Sequence, residues 1–235
     1  TLVGDTTMNS TDGALVMLSG DTDGAFALEI NNSGRTLFGR LGATTPLASV
    51  ATDAAGSTLI SGGVIKTSGV AGMSFADEVE LGQGTALTAT DGAITFGKTV
   101  DGPHALTLAA GSGDIAFHGA VGSETTLGAL SVSSVNELLF ADTVTAASLV
   151  QQAGTLTTLQ GNVTTTAVAG VNLTATDIRL DGLDIDTTPN RGIARFDGAV
   201  RLDDAVTMTR GLGAVTFTGT VDSQADEGNS LSINE

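Results

Sequence analysis

One short phrase returns along the chain at a nearly fixed interval: an apolar residue, a small or polar one, a third residue that is usually phenylalanine, a glycine-containing step, then valine. It reads Ile94-Thr-Phe96-Gly-Lys-Thr-Val100, Ile115-Ala-Phe117-His-Gly-Ala-Val121 and Val215-Thr-Phe217-Thr-Gly-Thr-Val221. With the third residue as register, the matching positions are Met17, Phe38, Ile60, Phe75, Phe96, Phe117, Phe140, Leu159, Leu180, Phe196 and Phe217. Differences between neighbouring positions are 21, 22, 15, 21, 21, 23, 19, 21, 16 and 21, and only Phe26 of the 8 phenylalanines lies off the register.

A step of about 21 residues is too short for a propeller blade and too strand-like for helical repeats, and it suits one turn of a parallel β-helix. Alternation with period two puts the register residue and the one two before it inside, with Thr95, Ala116 and Thr216 outside. The spacing predicts an all-β, parallel β-solenoid of about 10–11 coils stacked about 4.8 Å apart, a rod of roughly 48 Å, right-handed by the crossover rule. Phe38, Phe75, Phe96, Phe117, Phe140, Phe196 and Phe217 then form an internal aromatic column. A second phrase, Leu106-Thr-Leu108, Leu130-Ser-Val132, Val206-Thr-Met208 and Leu231-Ser-Ile233, supplies another wall. Composition agrees: 32 Gly, 3 Pro, no Trp, Tyr or Cys, and 41% hydrophobic residues favour short strands, glycine corners and a continuous core.

Longer periods lie above the coil. Gly42, Leu47, Ile60 and Val64 match Gly122, Leu127, Phe140 and Val144, each displaced by 80, and Phe38, Phe117 and Phe196 are 79 apart. Met8, Gly13, Ala14 and Met17 correspond to Met208, Gly213, Ala214 and Phe217 at a displacement of 200, and Leu28-Glu-Ile30 to Leu231-Ser-Ile233 at 203. The expectation is a single continuous solenoid over 1–235, one window of a longer tandem array with modules of about 80 residues and a super-repeat of about 200 residues. Stacking of separate chains end to end is the alternative.

A net charge of -17 with 9 Lys and Arg in all speaks against nucleic acid and against anionic membrane surfaces. No apolar run is long enough to insert in a membrane. The start of the chain lacks signal-peptide features, so the sequence reads as mature or excised material. Without cysteine, stability rests on burial and backbone hydrogen bonding.

The polar residues are densest between Asp177 and Arg210. Register arithmetic places Asp181 directly beneath Asp197 and Arg179 beneath Arg195, and like charges stacked this closely need counter-charges or a cation. Arg179, Asp181, Arg195, Asp197 and Arg201 are therefore a candidate contact face, Asp181, Asp184, Asp186 and Asp197 are weak Ca²⁺ candidates, and a mutually compensating ion network is the plain alternative. Gly111-Ser-Gly113-Asp114 reads as a corner rather than a calcium repeat. His104 and His118 lie far apart in phase, which disfavours a metal pair. The threonine-rich stretches 155–158 and 164–166 do not hold one register, which disfavours an ice-binding face. Asn9, Asn31, Asn162 and Asn172 head glycosylation sequons that matter only in a glycosylating host. With no Trp or Tyr to stack sugar rings and Phe assigned to the core, a polysaccharide-cleaving site is not expected.

Ala43-Thr-Thr-Pro-Leu47-Ala-Ser, Thr52-Asp-Ala-Ala-Gly-Ser-Thr-Leu-Ile60 and Ile94-Thr-Phe-Gly-Lys-Thr-Val100 resemble the large β-strand-repeat surface proteins of Gram-negative bacteria, near filamentous-haemagglutinin-like exoproteins and giant adhesins. The resemblance covers most of the chain and carries no functional residues with it. It implies a secreted or cell-surface, non-catalytic fibre or adhesin stalk without cofactor. The alternatives are a receptor- or glycan-binding module that touches a host or matrix surface, and a subunit that partners with its own copies.

Overall fold

The computed structural model describes residues 1–235 and contains parallel strands and one short 3-10 turn, Thr188–Asn190. Each strand pairs with the strand about one coil on, never with its sequence neighbour in a hairpin. Parallel pairing requires a crossover between partners, and here the crossover is the rest of the coil. The chain is a β-solenoid whose coil has three walls.

Wall 1 carries the inward column Met8, Ile30, Thr52, Phe75, Phe96, Phe117, Phe140, Leu159, Leu180, Leu202 and Ser223. Its successive steps are 22, 22, 23, 21, 21, 23, 19, 21, 22 and 21, more regular than those read from the sequence. Wall 2 carries Val16, Thr36, Thr58, Val79, Val100, Val121, Val144, Val163, Ile185, Met208 and Ile233. Wall 3 carries Leu41, Ile65, Leu87, Leu108, Val132, Gln151, Leu173, Phe196 and Phe217.

The single aromatic column expected from the sequence is therefore corrected. Phe75, Phe96, Phe117 and Phe140 stack on wall 1 with ring centroids 5.4, 4.7 and 4.8 Å apart and interplanar angles of 14°, 11° and 8°. Phe196 and Phe217 stack separately on wall 3 at 5.2 Å, and Phe38 sits on wall 2 between Leu18 and Ile60. Met17 is an outward residue, 53% exposed, and Leu18 is the inward one. Likewise Leu106–Ala109 and Leu127–Ser134 belong to wall 3, whereas Val206–Thr209 and Leu231–Asn234 belong to wall 2.

The long periods fall into place on three walls. Phe38, Phe117 and Phe196 lie on walls 2, 1 and 3, so each step between them ends one wall short of four full coils. The correspondences between the two ends of the chain link wall 1 to wall 2 at Met8 and Leu28 and wall 2 to wall 3 at Met17, overshooting nine coils by one wall. The duplicated corners are alike in detail. Asp23 Oδ1 accepts the N–H groups of Thr44 and Thr45 at 2.8 and 3.0 Å, and Asp101 Oδ1 those of Glu124 and Thr125 at 2.8 and 3.1 Å. The two N–H donors, Thr44 foremost, hold the Asp23 carboxyl below its ordinary pKa. Gly42 and Gly122 occupy matching turns at φ 64 and 69, where a Cβ would sit 2.3 Å from the Lys66 carbonyl oxygen and 2.0 Å from that of Thr145.

The core is one cluster of 47 buried hydrophobic residues running from Leu28 to Met208, so no break in packing divides the rod. Corners are laddered as well as walls: the amides of Gly97, His118, Ala141, Gln160 and Asp181 each donate to the wall 1 column residue one coil earlier, at 2.7 to 3.0 Å.

Three substitutions check this packing. Phe117→Ala, which opens a gap between two stacked rings, lowers the unfolding free energy by about 3–5 kcal/mol in denaturant titration. Gly122→Ala costs more than about 1 kcal/mol because the turn needs positive φ and the approach to Thr145 leaves no room for a methyl group. Gly84→Ala, at a glycine with nothing within 4 Å of the added carbon, stays within about 0.5 kcal/mol of the parent.

Candidate functional site

The charged region between Asp177 and Arg210 is divided among the three walls. Arg179 pairs in register with Arg201 on wall 1, and Arg195 lies on wall 3 between Asn172 and Thr216. Asp197 opposes Thr174, so neither Asp181 beneath Asp197 nor Arg179 beneath Arg195 survives as a stack. The cause is the short step from Leu180 to Phe196, which crosses two walls rather than completing a coil.

Each face handles its charges locally. Arg195 Nη2 meets Asp197 Oδ2 at 2.9 Å, and Thr218 Oγ1 donates to the other carboxylate oxygen at 2.5 Å. Arg201 Nε meets Asp203 Oδ1 at 2.5 Å with a second contact at 3.2 Å, a bidentate pair that pushes the guanidinium pKa up. Asp222 follows Arg201 in the same outward column. Arg179 takes part in none of the five ion pairs of the chain.

The calcium candidates are dispersed. Asp181 ends wall 1, where Gln160 Nε2 reaches it at 3.4 Å; Asp184 and Asp186 lie in a wall 2 strand, with Asp186 accepting the Thr188 N–H at 2.8 Å; Asp197 is on wall 3. No group of three or more His, Asp or Glu side chains is placed to hold a metal ion. His104 precedes wall 3 and His118 follows wall 1, on different corners. Gly111 to Asp114 is a corner, with Asp114 Oδ1 accepting Asn136 Nδ2 at 2.9 Å and the Glu137 N–H at 3.1 Å. Thr157 points inward and donates to Gln151 Oε1 at 2.6 Å, which breaks any threonine face over 155–158.

Two features are not visible in the sequence as a pattern. On the exterior of wall 2 a shallow cavity of about 310 Å³ is lined by Arg35, Glu78, Glu80, Asp101 and Glu124. Arg35 bridges two coils to Glu80, so the cluster is partly neutralised. Its members lie up to 89 positions apart, from Arg35 to Glu124, and the wall 2 register and the corner after it gather them.

The second is internal. At the corner from wall 1 to wall 2, Asp77 is 2% exposed and takes hydrogen bonds from Thr52 Oγ1 to Oδ1 at 2.6 Å and from Thr58 Oγ1 to Oδ2 at 2.7 Å. Thr52 Oγ1 accepts the Ala76 N–H at 3.2 Å. Two coils before Asp77, buried Asn32 donates to Thr36 Oγ1 at 3.2 Å. Burial pushes the Asp77 carboxyl up, against the pull of the Thr52 and Thr58 hydroxyls, and nearby Asp53 adds to the rise. One signal is present in the sequence: Thr52 and Thr58 stand in columns otherwise filled mainly by Phe, Leu, Ile and Val.

No helix is long and apolar enough to cross a membrane. No protein-family model, curated protein or solved structure matches this chain.

Proposed function

We propose that this chain is a non-catalytic segment of an extracellular fibre or adhesin stalk, a stiff spacer built by coil stacking. The observation that carries the reading is the unbroken core: 47 buried residues on three parallel-laddered walls, each coil resting only on its neighbours. Such a scaffold converts chain length into reach at a fixed width, and few of its backbone groups are left loose for a protease. The acidic exterior, with 26 Asp and Glu against 9 Lys and Arg, suits a solvated rod that repels its neighbours. The likeness of its phrases to bacterial surface exoproteins supports an extracellular setting.

Antibodies raised against the folded rod should label unpermeabilised source cells and decorate filaments of uniform width in electron micrographs. Labelling that requires permeabilised cells, or globular particles in place of filaments, overturns the reading.

A second reading, an adhesin module that contacts a host or matrix surface, is favoured by Arg179: an outward arginine without an ion-pair partner, stacked beside Arg201 on an otherwise acidic rod. Double substitution Arg179→Ser with Arg201→Ser lowers retention on immobilised matrix several-fold if this face binds. Unchanged retention leaves the spacer as the better account.

A further inference from the structure

The interior of the rod changes character along its length. From Phe75 onward the wall 1 column is phenylalanine or leucine for seven successive coils, to Leu202, and the wall 2 column is apolar alongside it, with Thr157, Thr165 and Thr187 buried at neighbouring inward positions. Before Phe75 the wall 1–wall 2 corner is polar inside, with Asn32, Thr36, Thr52 and Thr58 all buried, and Asp77, two residues after Phe75, is buried with them. Asp77 is at the boundary, joined by its two carboxylate oxygens to strands of the preceding coil.

The hydrogen-bond geometry says where a proton fits. Thr52 Oγ1 accepts the Ala76 N–H, so its own proton is directed to Asp77 Oδ1. Oδ2, 2.7 Å from Thr58 Oγ1, is free to carry a proton and donate it to that hydroxyl. Both carboxyl oxygens of Asp77 are thus paired in either state, by the Thr52 and Thr58 hydroxyls donating to the carboxylate or by Oδ2 donating to Thr58 Oγ1 once protonated, and what separates the two states is the charge. The ionised cluster keeps a full negative charge in the core, and no cation answers it. On the preceding corner Asp53 is a like charge, with its Oδ1 engaged by the Asn32 N–H at 3.0 Å. On the strand that follows Asp77, Glu78 and Glu80 face outward, and Glu80 is held by Arg35. On the following corner Lys98 Nζ reaches past to the Ala54 carbonyl at 2.9 Å rather than to Asp77.

We propose that the Thr52–Thr58–Asp77 cluster is a proton-dependent latch between the first coils and the phenylalanine-stacked remainder, closed when Asp77 is protonated and the first level of the rod to open when it ionises. The sign follows from linkage. An acid whose folded-state pKa lies above its unfolded value binds its proton more tightly when folded. The latch is thus fully stabilising below the unfolded value and is lost as pH rises through the interval up to the folded value. Acidification also relieves repulsion across the whole rod of charge -17, so the mark of the latch is a local effect rather than a global one.

Deuterium exchange on the intact chain, corrected for intrinsic rates, tests it between about pH 4 and about pH 8. Raising the pH should cost peptides spanning 50–60 and 73–81 several-fold more protection than peptides around Phe117 and Phe140, and Asp77→Asn should remove that difference. A loss spread evenly along the wild-type rod, or the same local loss in Asp77→Asn, overturns the proposal. Should the variant fold poorly, NMR titration of the Asp77 carboxyl carbon in the wild-type chain decides the matter: a midpoint above those of the exposed aspartates supports the latch, and an ordinary or lower midpoint overturns it.

Discussion

Everything in this rod depends on the backbone ladder between successive coils. Parallel pairing at about 4.8 Å spacing fixes each residue over one partner, so side chains cannot choose their neighbours along the axis. Like ends up on like. That is favourable for phenyl rings, as along Phe75 to Phe140, and for amides, as where Asn31 Nδ2 donates to Asn9 Oδ1 at 3.0 Å. It is unfavourable for charge, and Arg179 over Arg201 is tolerated with Asp203 and Asp222 beside the second guanidinium. Corners obey the same ladder, so they are built of glycines where backbone passes close and of aspartates that accept the next coil's amides.

The coil and its length are legible in the sequence because alternation and a bulky aromatic mark one inward position per turn. The division of the coil into three walls is not. Each wall alternates in the same way and ends in similar small residues, so a step that crosses two walls looks like a short coil. The steps from Ile60 to Phe75 and from Leu180 to Phe196 are both of this kind. Wall identity is set by corner length, and corner length becomes visible only once pairing is known. The same ambiguity carries into the charged region, where phase alone sets Arg179 against Arg195 and pairing sets it against Arg201. At Met17 the difference is a single residue, enough under period-two alternation to exchange inside for outside.

The interior polar cluster shows the opposite relation. Thr52 and Thr58 break the expected column in plain view, but an isolated threonine in a strand explains itself. What makes the break meaningful is that Asp77, 25 positions from Thr52 and 19 from Thr58 and outwardly an ordinary corner residue, turns into the core to meet both hydroxyls. A long-range pair of this sort leaves no local pattern to find.

The direction of the ladder also sets how the molecule answers a pull. Its inter-coil hydrogen bonds run along the axis, and tension applied at the two ends of the chain loads them a coil at a time rather than all together. Coils peel off in sequence, each releasing some twenty residues of slack. The 235 residues of a rod about 50 Å long would reach about 800 Å when drawn out. A body that is stiff in bending is thus also a reel, able to lengthen more than tenfold and so to spread a sudden load over distance.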